Sequence, residues 1–227
     1  MCQACALLQT GSNIWIILAI TPGVMAAHYS IEYRTHFTGV HYTVVGMIGA
    51  TEQLCIFMTA TLFCVFHPLN NGFCQQSVVI PYFDYTTTYG DLIWVFVGSS
   101  GYHWTTENFV RGFLAAKDKT YAVKILIPYF QFLIMMYISS YSRFYGTHTF
   151  CFIAINGLFL TYVTGVFNLN TTCGMTFRWR FIDPFFYAAI ILLDAHSMIE
   201  DKTVVWLYVM WTCRVMMSYL MFMTSVI

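Results

Sequence analysis

The sequence predicts an all-α protein, a polytopic transmembrane bundle of about seven spans. Two observations lead to this prediction. Of the 227 residues, 59% are hydrophobic and only 9% are charged, which leaves too little polar surface to coat a soluble globule of this size. Apolar runs of about 20 residues, the length of a membrane-crossing helix, also recur along the chain. We therefore expect a single transmembrane domain over residues 1–227 and no separate soluble domain.

Each predicted span is an apolar run bounded by polar residues. In chain order, the spans cover about 13–27, 40–66, 91–110, 122–141, 149–169, 181–199 and 203–227. Only a dozen residues join the first two spans, so we expect them to pack as an antiparallel pair. The segment 76–90 is typical of the membrane interface, and the next span begins at Asp91, where an acidic side chain complements the helix dipole. Asp194 and His196 end the sixth span, and we expect both to approach the interface.

The distribution of basic residues favours this number of spans. Seven of them fall on one side of the predicted bundle and only Arg143 and Lys202 on the other, while Arg214 lies within the last span. The seven are Arg34, Arg111, Lys117, Lys119, Lys124, Arg178 and Arg180. Since Lys and Arg accumulate in cytoplasmic-type loops, the N-terminus is expected on the outer or luminal side.

Composition also excludes some classes of function. The formal net charge is zero and no extended basic cluster occurs, so nucleic acid is not an expected partner. Most of the eight cysteines lie in or beside apolar runs, which predicts buried free thiols, although Cys2 and Cys5 have CxxC spacing. The sequence has no phosphate-binding glycine loop, no nucleophile elbow and no HExxH motif.

Glu52, near the middle of the second span, is the strongest candidate for a functional polar group. A charged side chain at the bilayer centre costs about 3 kcal/mol, so it normally faces other helices, a wet cavity or a ligand. His28 and His41 could converge on Glu52, and a carboxylate beside an imidazole is suited to proton transfer. A structural explanation is equally physical and is favoured: Glu52 accepts hydrogen bonds from side chains of neighbouring helices, with no ligand.

Three further residues are candidates for a polar cavity. His103 and Glu107 are four residues apart on one face of the third span, a spacing that can hold a metal, but without a third ligand an ion pair or simple packing is favoured. Asn156 belongs to a small, polar face of the fifth span that is suited to close helix packing. We therefore predict lipid-binding or cavity roles for His28, Glu52, His103, Glu107 and Asn156, and neither a catalytic residue nor a metal ligand.

The order of short motifs resembles the C-terminal part of the eukaryotic choline/ethanolamine phosphotransferases, within the CDP-alcohol phosphotransferase family. The matching segments are AAHY at 26–29, Thr38-Gly39, Ala50-Thr51-Glu52-Gln53, QSVVIPYF at 76–83, Glu107-Asn108-Phe109, ILIPYF at 125–130, Asn156 and the segment 181–211. They are short and gapped, but they keep one order across nearly the whole chain. The resemblance implies a membrane helical bundle with grooves for acyl chains.

The chain departs from this family at the catalytic motif. The family signature, DGxxAR followed by G and two further aspartates, holds the divalent metal and the CDP-alcohol pyrophosphate. None of the six aspartates here is followed by Gly and no two are four residues apart. In the family, the spans that carry the signature would precede Met1, and we expect the protein to lack them. Without those oxygen ligands the phosphoryl transfer has no metal to neutralise the pyrophosphate.

Two functions remain open. The favoured one is a non-catalytic, lipid-contacting accessory subunit of a larger membrane complex, with membrane lipids and other membrane subunits as partners, bound phospholipid and no cofactor. A mitochondrial respiratory complex in the inner membrane would be a natural home. The alternative is an active CDP-alcohol phosphotransferase or a lipid transporter completed by another chain, in the endoplasmic reticulum for example, and Mg²⁺ is expected only in that case.

Overall fold

The computed structural model describes residues 14–41, 44–45, 48–49, 76–81, 85–177 and 182–226. Six helices occur in these residues: α1 (Ile14–Thr38), α2 (Tyr89–Ala115), α3 (Lys119–Ser139), α4 (Tyr145–Thr172), α5 (Ile182–Ala195) and α6 (Asp201–Val226). The four short strands are β1 (Val44–Val45), β2 (Ile48–Gly49), β3 (Ser77–Ile80) and β4 (Tyr85–Thr88). The described part of the chain is thus mostly helical, as predicted.

Three helical segments in this part of the chain are long and apolar enough to cross a membrane. They are Lys119–Ser139, Cys151–Thr172 and Asp201–Phe222, which belong to α3, α4 and α6. This supports the predicted membrane association. Of the seven expected spans, the described residues thus provide three candidates.

Helix α1 is longer than the predicted first span. It continues to Thr38 through the segment expected to be a connection, and it ends at Gly39, whose positive φ of 69° suits glycine. Arg34, expected in a loop, is consequently a buried helical residue. The aromatic residues Tyr29, Tyr33 and Phe37 explain the extension, because residues four apart share one helix face and here that face packs on neighbouring helices.

Helices α1 and α2 run parallel to each other in close contact. Gly23 faces Tyr102 near one end of the pair, and Gly112 faces Tyr33 near the other. A Cβ atom on Gly112 would lie only 2.7 Å from the Tyr33 ring. The antiparallel partner predicted for the first span, residues 40–66, falls largely outside the described residues, which show there only the β1–β2 pair.

A hairpin leads directly into α2. Strands β3 and β4 pair antiparallel, with Ser77 opposite Thr88. The Thr88 hydroxyl then caps α2 by accepting a hydrogen bond of 3.2 Å from the Asp91 amide. Asp91 lies in the first helical turn, as expected, where its carboxylate also accepts a bond from the Thr87 hydroxyl. This is the segment that the sequence indicated to be interfacial.

Helix α5 is shorter than the predicted sixth span. Its 14 residues measure about 21 Å, less than the hydrocarbon thickness of about 30 Å. The helix ends because Ser197 adopts a left-handed φ of 52° and its amide bonds to the Asp194 carbonyl, while the Met198 amide bonds to the Leu193 carbonyl. The predicted boundary at Ile199 is therefore four residues beyond Ala195.

The core of the bundle is aromatic. Between α4 and α6, Phe152 contacts Tyr208 and Phe159 contacts Trp211. Gly165, further along α4, faces Tyr219, further along α6. Residue numbers rise together on both helices, so α4 and α6 are parallel, with α5 returning between them in the chain. This arrangement creates the groove and the cavity described below.

Candidate functional site

An apolar groove lies between α4 and α6 and has a volume of about 700 Å³. We refer to it as the α4–α6 groove. Its lining is formed by Phe144, Thr147, His148, Cys151, Phe152, Ala154, Ile155, Val205, Tyr208, Val209, Thr212 and Cys213. The two cysteines are free, as predicted, but exposed rather than buried. Both walls belong to helices with membrane-crossing character.

A smaller and more polar cavity, of about 360 Å³, lies between α1, α4 and α6. We refer to it as the His28 cavity. Its lining is formed by Met25, His28, Gly157, Leu160, Thr161, Thr164, Gly165, Asn168 and Tyr219. Two of the predicted features meet here: His28 of α1, and the small, polar face of α4. Gly157 lies against the Met25 side chain, whose Cε atom would meet a Cβ atom added to this glycine.

One end of the His28 cavity is backed by a buried carboxylate. Glu32, one helical turn beyond His28 on α1, is only 2% exposed. Its Oε1 accepts a hydrogen bond of 3.0 Å from Asn168 Nδ2, and Asn168 Oδ1 in turn accepts one from the Thr172 hydroxyl. These bonds fix the orientation of the Asn168 amide, which separates Glu32 from the cavity.

A second buried carboxylate, Asp194, joins the end of α5 to the α3–α4 connection and to α6. Its side chain is fully buried and accepts hydrogen bonds from the Ser142 hydroxyl, from Arg143 Nε at 2.9 Å and from the Tyr208 hydroxyl at 3.2 Å. Arg143 also reaches Asp201 at the start of α6, at 3.0 Å. The hydrogen bond to Asp194 and the nearby Asp201 raise the pKa of the Arg143 guanidinium. Arg143 thus neutralises the charge of Asp194, and Asp194 lines neither the groove nor the His28 cavity.

Asn156 lies in a third polar cluster, between α3, α4 and α5. Its Nδ2 faces three acceptors: the Phe152 carbonyl at 2.7 Å, the Ser139 hydroxyl at 3.1 Å and the Tyr187 hydroxyl at 3.3 Å. Asn156 is completely buried, so it connects helices and lines neither the groove nor the His28 cavity. This agrees with the close packing that the sequence indicated for this helix.

The remaining predicted site residues either lie away from the His28 cavity or fall outside the described residues. Glu107 pairs with Arg111 one turn along α2, at 2.6 Å, and His103 is exposed on the same helix. Glu52 lies outside the described residues, and His41 contacts the Thr35 hydroxyl at 3.2 Å. Within the ranges that the structure describes, no three His, Cys, Asp or Glu side chains are grouped closely enough to hold a metal ion.

Sequence analysis overlooked Glu32 and underrated Asp194. Glu32 lay in the segment interpreted as a connection, although the i, i+4 spacing of Tyr29, Tyr33 and Phe37 would have predicted a helix there. For Asp194, the predicted topology already placed Arg143 at the same end of the bundle as the end of the sixth span. A buried partner for that arginine could have been inferred from this placement.

Comparison with known proteins adds no relative. No protein-family model matches the chain, and neither curated proteins nor solved structures show a match.

Proposed function

We propose that this chain is a non-catalytic, lipid-contacting accessory subunit of a larger membrane protein complex, descended from a choline/ethanolamine phosphotransferase. A respiratory complex of the mitochondrial inner membrane is the assembly we would test first. The observation that carries the proposal is the α4–α6 groove, together with the way in which the buried polar groups bond to one another.

The α4–α6 groove has the properties of an acyl-chain site. Its volume of about 700 Å³ lies within the range of about 300–1,000 Å³ typical of small-molecule sites. Its walls are mostly apolar and its hydroxyl groups are engaged: Thr212, for example, donates to the Tyr208 carbonyl at 2.7 Å. Such a surface offers few orienting contacts to a polar substrate, whereas an acyl chain needs only apolar contact.

The buried polar groups support a structural role. A carboxylate that holds a metal or accepts a substrate proton must direct a lone pair toward it. Asp194 instead accepts three hydrogen bonds from within the bundle and has no exposed surface. Asn156, Ser139 and Tyr187 likewise bond to one another. These clusters tie helices together, which is the common use of polar groups inside membrane bundles.

The outer face of α6 supports contact with lipid or neighbouring subunits. Large apolar side chains on this helix are exposed, with Trp206, Met210 and Met221 each about two-thirds exposed. Exposed apolar surface of this extent is typical of a membrane or protein interface. An ion pair between Arg143 and Asp201 also joins the start of α6 to the rest of the bundle.

The test is purification of the tagged, full-length chain in a mild detergent, followed by a native gel and mass spectrometry of its band. We expect the chain in a large assembly with bound phospholipid. A free chain, or one paired only with a subunit that carries the missing aspartate signature, would contradict the proposal. A CDP-alcohol turnover assay of that material would then test the split enzyme.

A further inference from the structure

We infer that the surface around Arg214 binds a membrane-spanning helix of a neighbouring subunit, through an asparagine or glutamine side chain of that helix. We refer to this surface as the Arg214 face. It is formed by Asp183 and Phe186 of α5 and by Met210, Arg214 and Met217 of α6. The inference rests on the proposed function, in which α6 lies in the membrane beside other subunits, and it names the contact surface and the chemistry of the partner.

Arg214 lies near the middle of a membrane-length helix. Within the segment Asp201–Phe222 of α6, it is about 20 Å from the first residue and about 12 Å from the last. Its guanidinium extends to neither end of the helix, because it reaches across to α5. There Nη2 lies 2.7 Å from Asp183 Oδ1, and Cζ lies 5.5 Å from the centre of the Phe186 ring. A charged group at this depth normally faces a polar partner.

The ion pair with Asp183 does not satisfy the guanidinium. The contact between Nη2 and Oδ1 is short but lacks the alignment of a hydrogen bond. No described residue accepts a hydrogen bond from Arg214, although a guanidinium has five N–H donors. The Arg214 side chain is 53% exposed and that of Asp183 is 21% exposed. The exposed donors therefore need acceptors that the described part of the chain does not provide.

Lipid is a poor source of such acceptors at this depth. Acyl chains have no hydrogen-bonding groups, and the headgroups that have them lie near the ends of a membrane-spanning helix. A polar side chain on a neighbouring helix, in contrast, can be placed at any depth, and hydrogen bonds of this kind join helices within membranes. The position of Arg214 therefore favours a protein partner over lipid on this face.

The charges of the pair select an uncharged polar group. Asp183 and Arg214 are together neutral, so a further ionised side chain would enter the membrane without a counter-charge. A carboxamide has an oxygen that accepts hydrogen bonds from a guanidinium and a nitrogen that donates them to a carboxylate. Asparagine or glutamine is thus complementary to both members of the pair.

The surroundings of the pair are those of a protein interface. Met210 and Met217, one turn to either side of Arg214, are more than half exposed, and so is Phe186. Arginine, methionine and aromatic residues are enriched where proteins meet. The face is also held in place, because Trp211 Nε1 donates to the Asp183 carbonyl at 3.1 Å and so joins the start of α5 to α6. A partner helix would meet a preformed surface.

The first test replaces both charges by apolar side chains, in Asp183→Leu with Arg214→Met. Neither charge is then left unpaired in the bundle, and the unfolding midpoint of the variant checks its fold. A native gel of the tagged full-length chain, after identical dilution in mild detergent, gives the ratio of assembled to free chain. We expect this ratio to fall about tenfold, because the groups that bind the partner are lost.

The matched control is Glu107→Leu with Arg111→Met. This pair on α2 is also short, at 2.6 Å, and its arginine side chain is 57% exposed, but it lies outside the Arg214 face. The control should keep the wild-type ratio. An equal fall in both double variants would overturn the inference, as would an unchanged ratio in Asp183→Leu with Arg214→Met.

Photo-crosslinking identifies the occupant and decides the question if the double variant does not fold. The photoreactive residue benzoylphenylalanine is placed at position 217, and mass spectrometry identifies what it captures in the purified assembly. We expect a membrane-spanning segment of another subunit, with Asn or Gln within one helical turn of the crosslinked residue. Capture of lipid alone, of a second copy of this chain, or of a segment without such an amide would overturn the inference.

Failure of the inference is distinguishable from failure of the proposed function. If the chain is not an accessory subunit, the wild-type chain itself migrates free on the native gel. If only the inference fails, the wild type migrates in a large assembly, and the Arg214 face contributes nothing to that assembly.

Discussion

At the scale of single residues, burial and pairing separate structural carboxylates from exposed ones. Asp194 and Asp201 both contact Arg143, but the Asp194 side chain is fully buried and that of Asp201 is 68% exposed. The free energy contributed by an ion pair depends on that difference, because an exposed pair is screened and already well solvated when apart. The same guanidinium therefore provides an internal comparison.

Asp194→Asn should lower the free energy of unfolding by about 2 kcal/mol, because a buried charged acceptor of three hydrogen bonds becomes a neutral amide. Asp201→Asn is the control, and it should lower the free energy of unfolding by at most about 1 kcal/mol. Thermal unfolding in detergent, monitored by tryptophan fluorescence, measures the stability of both variants. Equal losses for the two variants would contradict the structural role given to Asp194.

His36 should make stability depend on pH. Its ring is half-buried, bonded to the Thr171 hydroxyl at 2.9 Å and packed on the Phe37 and Phe167 rings. Burial lowers the pKa of His36 below the ordinary 6.5. As pH falls below about 6.5, the unfolded chain takes up this proton before the folded chain does, so the free energy of unfolding decreases. The decrease continues until the folded His36 is also protonated.

The measurement is the unfolding midpoint at about pH 7.5 and at about pH 5.5, which bracket the ordinary histidine pKa. We expect a lower midpoint at the acidic pH, and a smaller difference in His36→Asn. His103→Asn, which changes an exposed histidine on α2, should behave as the wild type. A pH response that His36→Asn leaves unchanged would assign the effect to other groups.

At the scale of elements, close helix packing depends on small residues. A Cβ atom added to Gly112 on α2 would lie 2.7 Å from the Tyr33 ring and 3.1 Å from the Arg34 Cα. Tyr33 cannot move easily, because its ring is fully buried and its hydroxyl donates to the Ala122 carbonyl at 3.3 Å. The interface between α1 and α2 therefore requires glycine at this position.

Gly112→Ala should destabilise the fold by about 1–3 kcal/mol, the usual cost of overpacking. Gly146→Ala is the matched control, because Gly146 also lies in a helix but has no atom within 4 Å of the added methyl. That control should be neutral or more stable by up to about 1 kcal/mol, since alanine favours helix. The measurement is the unfolding midpoint of each variant in the same detergent. A midpoint of Gly112→Ala equal to that of the wild type would contradict the described packing.

The helices show how far the sequence could predict this fold. Helices α3, α4 and α6 lie within a few residues of the predicted spans, because each is a long apolar run. The end of α1 was missed since Glu32 and Arg34 interrupt that run, although both charges are buried by pairing with Asn168 and Asn108. The end of α5 depends on Ser197 in a left-handed conformation, which the residue type does not indicate. The groove and the cavity depend on contacts between distant helices.

At the scale of the whole molecule, the helix ends form two groups, one at each end of the bundle. His36 near the end of α1 meets Tyr121 at the start of α3 and Thr171 at the end of α4. At the opposite end, Arg143 joins the end of α5 to the start of α6. The two ends are held by polar contacts and the middle by aromatic packing. Large apolar side chains on α6 remain exposed, among them Trp206, Met210 and Met221.

The central claim is that lipid occupies the α4–α6 groove in a chain that serves an assembly. The most direct measurement is the number of phospholipids retained by the purified assembly in native mass spectrometry, compared between the wild type, Ala154→Phe and Ala189→Phe. Ala154 is exposed and lines the groove, so a phenylalanine there should fill it, whereas Ala189 is exposed on α5 outside it. We predict that Ala154→Phe loses retained phospholipid while Ala189→Phe matches the wild type. Equal lipid counts in all three proteins would contradict the claim.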